Sequence, residues 1–165
     1  AYCLYAGLVT DTGNFRWGTP RMHTLAAELL TYGLDPRQIA LELMDSMSAL
    51  DLQIMGSVLA ELKEFREKGL TVSVITVPAE ALARMSQTTV EAIIDYARAL
   101  QGSDVGVVFK QQAPRYWAVS LRSTVIDVSQ VAAALGGGGH VPAAGYSAYG
   151  SEDAVIRDLL AALPG

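Results

Sequence analysis

The sequence predicts an α/β chain whose strands are confined to its second half. Three observations carry this. Apolar residues recur at helical spacing, punctuated by Pro and Gly, as far as Gly69. A β-branched alternating run begins abruptly at Leu70. From there, strand and helix patterns interleave over the remaining residues. The chain has 165 residues, of which 51% are hydrophobic and 18% charged. With a mean hydropathy of +0.28, it can bury a core and is not the charged, apolar-poor kind that stays disordered.

"AYCLYAGLVTD" places Tyr2, Tyr5, Leu8 and Val9 at helical spacing, a buried helix running into the loop "TDTGNFRWGTP", with a strand left open because a short apolar run does not decide between the two. It has no start methionine and reads as the interior of a longer protein. "PRMHTLAAELLTYG" opens with Pro20 and closes with Gly33, as helices do. "DPRQIALELMDSM" repeats the design, with Asp35 as N-cap and Pro36 as first helical residue. "ALDLQIMGSVLAELKEFREKG" reads as one longer helix ending at Gly69, and its charged end is the candidate domain boundary. "LTVSVITV" is a strand, Pro78 starts a short helix, and "TTVEAIIDYARAL" is a helix broken by Gly102. "DVGVVFKQQ" and "RYWAVSLRS" form a hairpin around Ala113-Pro114. "DVSQVAAAL" is a helix that stops at the glycines, "AGYSAYG" a last strand, and "SEDAVIRDLLAAL" a helix capped by Ser151. About four strands result.

Bulk properties exclude several functions. No apolar run reaches the roughly 20 residues of a membrane span, and no secretory signal is visible. The single cysteine, Cys3, rules out an internal disulfide or a cysteine zinc cluster and fits a reducing, cytoplasmic setting. A net charge of −5 argues against a long nucleic-acid partner, which needs many phosphate contacts. A short anionic ligand held by a few local cations remains open.

Three motifs carry chemistry. Asp11, on a loop at a helix end, can hold a divalent metal or simply make an Asx-turn. Arg16 beside it can meet a phosphate or solvent. In "VSLRS", strand alternation puts Ser120 and Arg122 on one face, Leu121 and Ser123 on the other. Arg122 then either offers a planar fork for phosphate or carboxylate or is an ordinary surface arginine. In "LGGGGHVPAAG", the glycines allow backbone N–H groups to form an anion nest, to which a following helix N-terminus would add, with His140 at its end. No Walker lysine comes after it and the spacing is not GxGxxG, so neither a P-loop nor a dinucleotide site fits. His23 reads as structural or surface and Cys3 as a small buried residue. Trp17, Tyr116 and Trp117 can stack on bases or pack in a core.

Taken together, "GGGGHVPAAG", the approach "VSLRSTVIDVSQVAAALGGGGH" and "YAGLVTDTGNFRW" resemble the DHH-family phosphoesterases. The resemblance covers nearly the whole chain and points to the small-substrate branch, which includes nanoRNases, phosphoadenosine-phosphate phosphatases and cyclic-dinucleotide phosphodiesterases. It implies a helical remainder of a DHH catalytic domain over 1–48 and a helical linker over 49–69. A small mixed-sheet α/β DHH-associated domain would then fill 70–165. It implies that Asp11 is the last aspartate ligand of a two-manganese site. Arg122, Ser123, Gly137, Gly138, Gly139 and His140 would hold the substrate's phosphate and its nucleotide. The earlier metal motifs, including Asp-His-His, are absent from this sequence, so this chain alone is expected to have little or no hydrolase activity. A noncatalytic nucleotide-binding module is the first alternative; a single-strand exonuclease or tRNA-editing-associated domain is the second. An exposed sheet edge would leave room for a homodimer.

Overall fold

The computed structural model describes residues 1–16, 18–43 and 47–165. The chain divides into two compact units, 1–47 and 48–165. Trp17 lies outside the described residues.

The first unit is helical. Helices α1 (Tyr2–Asp11), α2 (Pro20–Leu30) and α3 (Pro36–Leu43) enclose Tyr5, Val9, Ala26, Leu29 and Ile39. Asp35 caps α3, its carboxylate accepting from the amides of Arg37 and Gln38 at 2.9 and 3.2 Å. The buried stripe of α1 is Tyr5 and Val9, one turn apart. Cys3 lies off that stripe and is exposed, contrary to the buried position expected of it. His23 is exposed and stacks on Phe15, ring centroids 5.1 Å apart.

The second unit is a six-stranded mixed sheet with helices on both faces. Its elements are α4 (Ala49–Ala60), β1 (Lys63–Glu67), β2 (Leu70–Val77), α5 (Ala79–Arg84), α6 (Gln87–Ala99), β3 (Val105–Ala113), β4 (Tyr116–Ser123), α7 (Val128–Ala134), β5 (Gly138–His140), β6 (Ala143–Tyr149) and α8 (Glu152–Ala162). Strand order is β1-β2-β3-β4-β6-β5. Among the described residues only β2 and β3 run parallel, joined by the α5–α6 crossover that a parallel pair requires. Val72, Val74, Val107, Phe109, Val119 and Leu121 meet α7 and α8 in one core, whereas Ile75, Val77 and Val108 meet α4, α5 and α6 in another. Strands β2 and β3 are thus covered on both sides, which is why their sequences read as nearly unbroken apolar runs.

The helix expected to run to Gly69 ends at Ala60. The charged segment after it is β1, an edge strand paired antiparallel with β2 from Lys63↔Val74 to Glu67↔Leu70. Its alternating exposure and its flanking charges suit an edge that must not recruit further strands. Lys68 and Gly69, both at positive φ, make the two-residue hairpin turn. The candidate boundary in this segment is therefore internal to the second unit. A further strand missed by sequence, β5, is the glycine run itself.

One contact ties α4 to α6. Asp51 is buried. It completes a capping box with Ser48 and accepts from the Ser86 amide at 2.7 Å. The Ser86 amide and then the Ser48 hydroxyl hold its carboxyl below the usual range. A carboxyl whose folded pKa is depressed stabilises the fold above its unfolded pKa, and that stability is lost as pH falls through the folded value. We expect Asp51→Ala to lower the melting temperature at pH 7 and to flatten its fall below pH 4. Thermal melts across that range check both.

Candidate functional site

The sheet builds a polar shelf from its last three strands. Residues directly opposite in antiparallel strands share a face, so the register defines rows. One row runs Gly106, Arg122, Ala143, His140 across β3, β4, β6 and β5; the next runs Val108, Ser120, Gly145, Gly138. Arg122 and His140 are two strands apart, about 10 Å at normal strand spacing. Between them the floor is Ala143, Gly145 and Gly138, a strip with almost no side chain. His140 and Gly138 are exposed, Arg122, Ser120, Ala143 and Gly145 partly so.

At the α6 side of this shelf lies a pocket of about 210 Å³. Val90, Glu91 and Ile94 of α6 form one wall, and Val108, Lys110, Ser120 and Arg122 the other. Burial lowers the pKa of both Lys110 and Arg122. Arg122 further depresses Lys110 while Glu91 partly offsets this; Asp95 supports the charge on Arg122 and Arg98 opposes it. Arg122 donates to the Leu121 carbonyl at 2.9 Å. Lys110 has no hydrogen bond or ion pair among the described residues. Lys110 was missed in the sequence; its signal is the one charged residue closing the apolar run Val105–Phe109, in phase with Val108.

The glycine run divides its labour. Gly136, at φ +82°, and Gly137 close α7 with a Schellman motif, their amides donating to Ala133 O at 3.1 Å and Ala132 O at 2.8 Å. A Cβ on Gly137 would lie 2.2 Å from Gly145 O, and one on Gly139 2.5 Å from Ala144 Cα. Both glycines are there because β6 passes too closely for a side chain. Gly138 is different: a Cβ there meets nothing within 4 Å. The anion nest of consecutive amides expected here is replaced by a helix cap that leads into an edge strand, with no helix N-terminus to add to it. An edge strand still directs alternate amides of residues 138–140 away from its single partner. Gly137, with its amide bound to α7 and its Cα against β6, is removed from the set expected to touch substrate.

Ser123 is removed as well. Strand alternation turns it to the face opposite Arg122, where it is 3% exposed. Its hydroxyl donates to Asp104 O at 2.7 Å and accepts from the amides of Val125 and Ile126, both at 3.0 Å. It fixes the turn after β4, which feeds α7, and has nothing left for a ligand. Trp117 is a core residue, 4% exposed, donating to Gly150 O at 3.0 Å and packed edge-on against Phe109. Tyr116 stacks on Tyr149, centroids 4.7 Å apart.

Asp11 belongs to the other unit. It is the last residue of α1 and is exposed, with a carboxylate free of hydrogen bonds and ion pairs among the described residues. Thr12 makes the turn instead, donating to Leu8 O at 2.7 Å and accepting from Phe15 N at 2.9 Å. Gly13, Asn14 and Phe15 all take positive φ, an uncommon conformation for the two that carry side chains. Arg16 is exposed. No group of three His, Cys, Asp or Glu able to hold a metal occurs among the described residues. One carboxylate cannot build a two-metal centre, so these residues do not by themselves fit the implied manganese pair.

The bifunctional oligoribonuclease and PAP phosphatase NrnA of Thermus thermophilus is 35% identical over 147 residues, 87% of this chain and 43% of that protein. The probable bifunctional oligoribonuclease and PAP phosphatase NrnA of Streptococcus mutans is 28% identical over 151 residues, 90% of this chain and 48% of that protein. The chain thus spans about half the length of the curated relatives it matches. An exopolyphosphatase-related protein of Bacteroides fragilis shares the fold with a TM-score of 0.85 at 23% identity, over 98% of this chain and 48% of that one. Residues 68–163 match the DHHA1 domain, a stretch holding both Arg122 and the Gly138–His140 strand, and the chain belongs to the DHHA1 domain family.

Proposed function

We propose that this chain is the substrate-holding part of a phosphoesterase acting on short nucleotides: oligoribonucleotides of a few residues, phosphoadenosine phosphate, or linear or cyclic dinucleotides. One observation supports it above all: Arg122 and His140 flank, in a single sheet row, a floor without bulky side chains. An arginine fork and an imidazole about 10 Å apart bracket a phosphodiester and its adjoining nucleoside, and the bare floor lets the ligand approach the backbone. The relatives named above as oligoribonuclease and PAP phosphatase point to the same chemistry. Asp11 would supply at most one ligand to the two-manganese centre that the resemblance implies, and the setting proposed is cytoplasmic. This chain's own residues bind and orient the substrate. No helix among the described residues is long and apolar enough to cross a membrane.

Calorimetric titration of the chain with the dinucleotide ApA tests this. We expect saturable binding that is indifferent to manganese, about tenfold weaker in His140→Ala through loss of one hydrogen bond to an anion, and no turnover. Each phosphate contact contributes a slope of about −0.7 in log K against log salt for a single strand, so a dinucleotide gives a shallow slope. Absence of saturable binding, or a steep slope with much tighter binding of long RNA, would refute the proposal.

A further inference from the structure

Tyr149 is 79% exposed, more than any other large hydrophobic side chain among the described residues. A ring left in water adds nothing to the core, yet this one has a fixed place. It stacks on Tyr116, directly opposite on β4, with centroids 4.7 Å apart and planes at 29°. The Tyr116 hydroxyl in turn donates to the Ser147 hydroxyl at 3.3 Å. Such a cross-strand pair supports the sheet through the ring faces that meet. The outer face of Tyr149 stays open.

The pair stands on the same face of the sheet as the shelf. Along β4 and β6 that face reads Arg122↔Ala143, Ser120↔Gly145, Ala118↔Ser147 and Tyr116↔Tyr149. Large side chains stand only at its two ends, the arginine at one and the tyrosines at the other. Small residues floor the whole interval, which is six residues along β4 or about 20 Å of strand. Lys110, opposite Ala118, adds a cation along one side. Arg115, exposed in the turn beside Tyr116, forms no ion pair among the described residues. Cations that follow a backbone, with an aromatic face set to receive a base, are what a single strand binds.

A single strand stacked at about 3.4 Å per nucleotide covers that interval in about six residues, and a stretched one in roughly half as many. A dinucleotide with its phosphate on Arg122 ends short of the tyrosines. We infer that Tyr149, backed by Tyr116, is a stacking platform for a distal base of an oligoribonucleotide whose phosphate lies on Arg122, so that the chain favours strands of about four to six nucleotides over dinucleotides. This rests on the proposed function, since it takes Arg122 to hold the phosphate. Every base has a π-face, so the platform reads length and not sequence. Strand β4 begins at Tyr116 and β6 ends at Tyr149, so a longer strand finds no further floor.

The experiment titrates the whole chain with ApA and with adenylate tetramer, hexamer and dodecamer. The hexamer should bind about tenfold tighter than ApA, the worth of one stacked base. The dodecamer should add only the few-fold that extra registers supply. Tyr149→Ala should bring the hexamer down to the level of ApA, whereas Tyr149→Phe, which keeps the ring, should retain the gain. Tyr32→Ala, which removes an exposed tyrosine of the first unit, should retain it too. Hexamers made abasic in the 5′ or the 3′ half repeat the test without altering the protein. One of them should lose the gain, and which one tells the direction of the strand. The platform is wrong, while the proposed function stands, on any of four results: a hexamer no tighter than ApA, a gain that survives Tyr149→Ala, a Tyr149→Ala chain weakened equally for ApA and hexamer, or a gain kept by both abasic hexamers. A dodecamer bound far tighter than the hexamer overturns both, as does a ladder of which no member binds.

Discussion

A Gly137→Ala chain is expected to melt about 10 °C below wild type, with a loss of about 3 kcal/mol, near the upper end for an overpacked site. The cause is local and rigid. An added Cβ would stand 2.2 Å from Gly145 O, 2.4 Å from Tyr146 Cβ and 2.7 Å from Tyr146 Cα. Two of those atoms are backbone, so no side-chain rotation relieves the clash. Strand β6 would have to move, and with it the Arg122↔Ala143 register and the core contributed by Ala144 and Tyr146. The Gly137 amide bond to Ala132 O would be strained at the same time. Gly138→Ala, one residue on, is the control. Its Cβ meets nothing and its φ is not positive, so stability should stay within about 0.5 kcal/mol of wild type. Ligand binding should nevertheless weaken, because that methyl would project over the floor of the shelf. Paired melts and ApA titrations of the two variants separate what the glycines do for the fold from what they do for the ligand.

The contrast between these neighbours explains what could be read from sequence and what could not. Periodicity located α1, α2, α3, β2, the β3–β4 hairpin and α8, because each buries a regular stripe or alternates cleanly. It failed at Lys63–Glu67, where "KEFRE" has helix-forming residues but is held as a strand by pairing with β2, a long-range cause that local propensity does not contain. It failed again at Gly138–His140, which carries no β-forming side chain and is a strand only because β6 lies beside it. Alternation in "VSLRS" separated Arg122 from Ser123 correctly. The family resemblance nevertheless put both on the ligand, whereas Ser123 holds a turn. Lys110 escaped notice because it belongs to no motif. Its significance comes from Ser120 and Arg122 on the next strand and Glu91 on α6, an arrangement set by topology. The glycine–histidine stretch was legible as unusual, but its main-chain role is split among cap, close packing and open edge in a way that only the register reveals.

Arg122→Ala should weaken binding of ApA by about 10- to 100-fold, corresponding to a loss of about 1.5–3 kcal/mol for hydrogen bonds to a charged group. Arg122→Lys should recover little of it, since a point charge lacks the fork that meets two phosphate oxygens. The substitution also has a signature away from the ligand. Arg122 is one of the groups depressing the Lys110 pKa, so removing its charge should raise the Lys110 value toward that of an ordinary lysine. Burial is the larger cause of the depression and opening the pocket to water would act in the same direction, so Arg122→Met, which keeps the volume and drops the charge, isolates the electrostatic part. Carbon-detected titration of the lysine Cε resonance reads the shift directly. An Arg122→Met chain that binds ApA as wild type does would show that the phosphate is held elsewhere on the shelf. One that loses binding while the Lys110 titration stays put would show that the two cations do not share a pocket in solution.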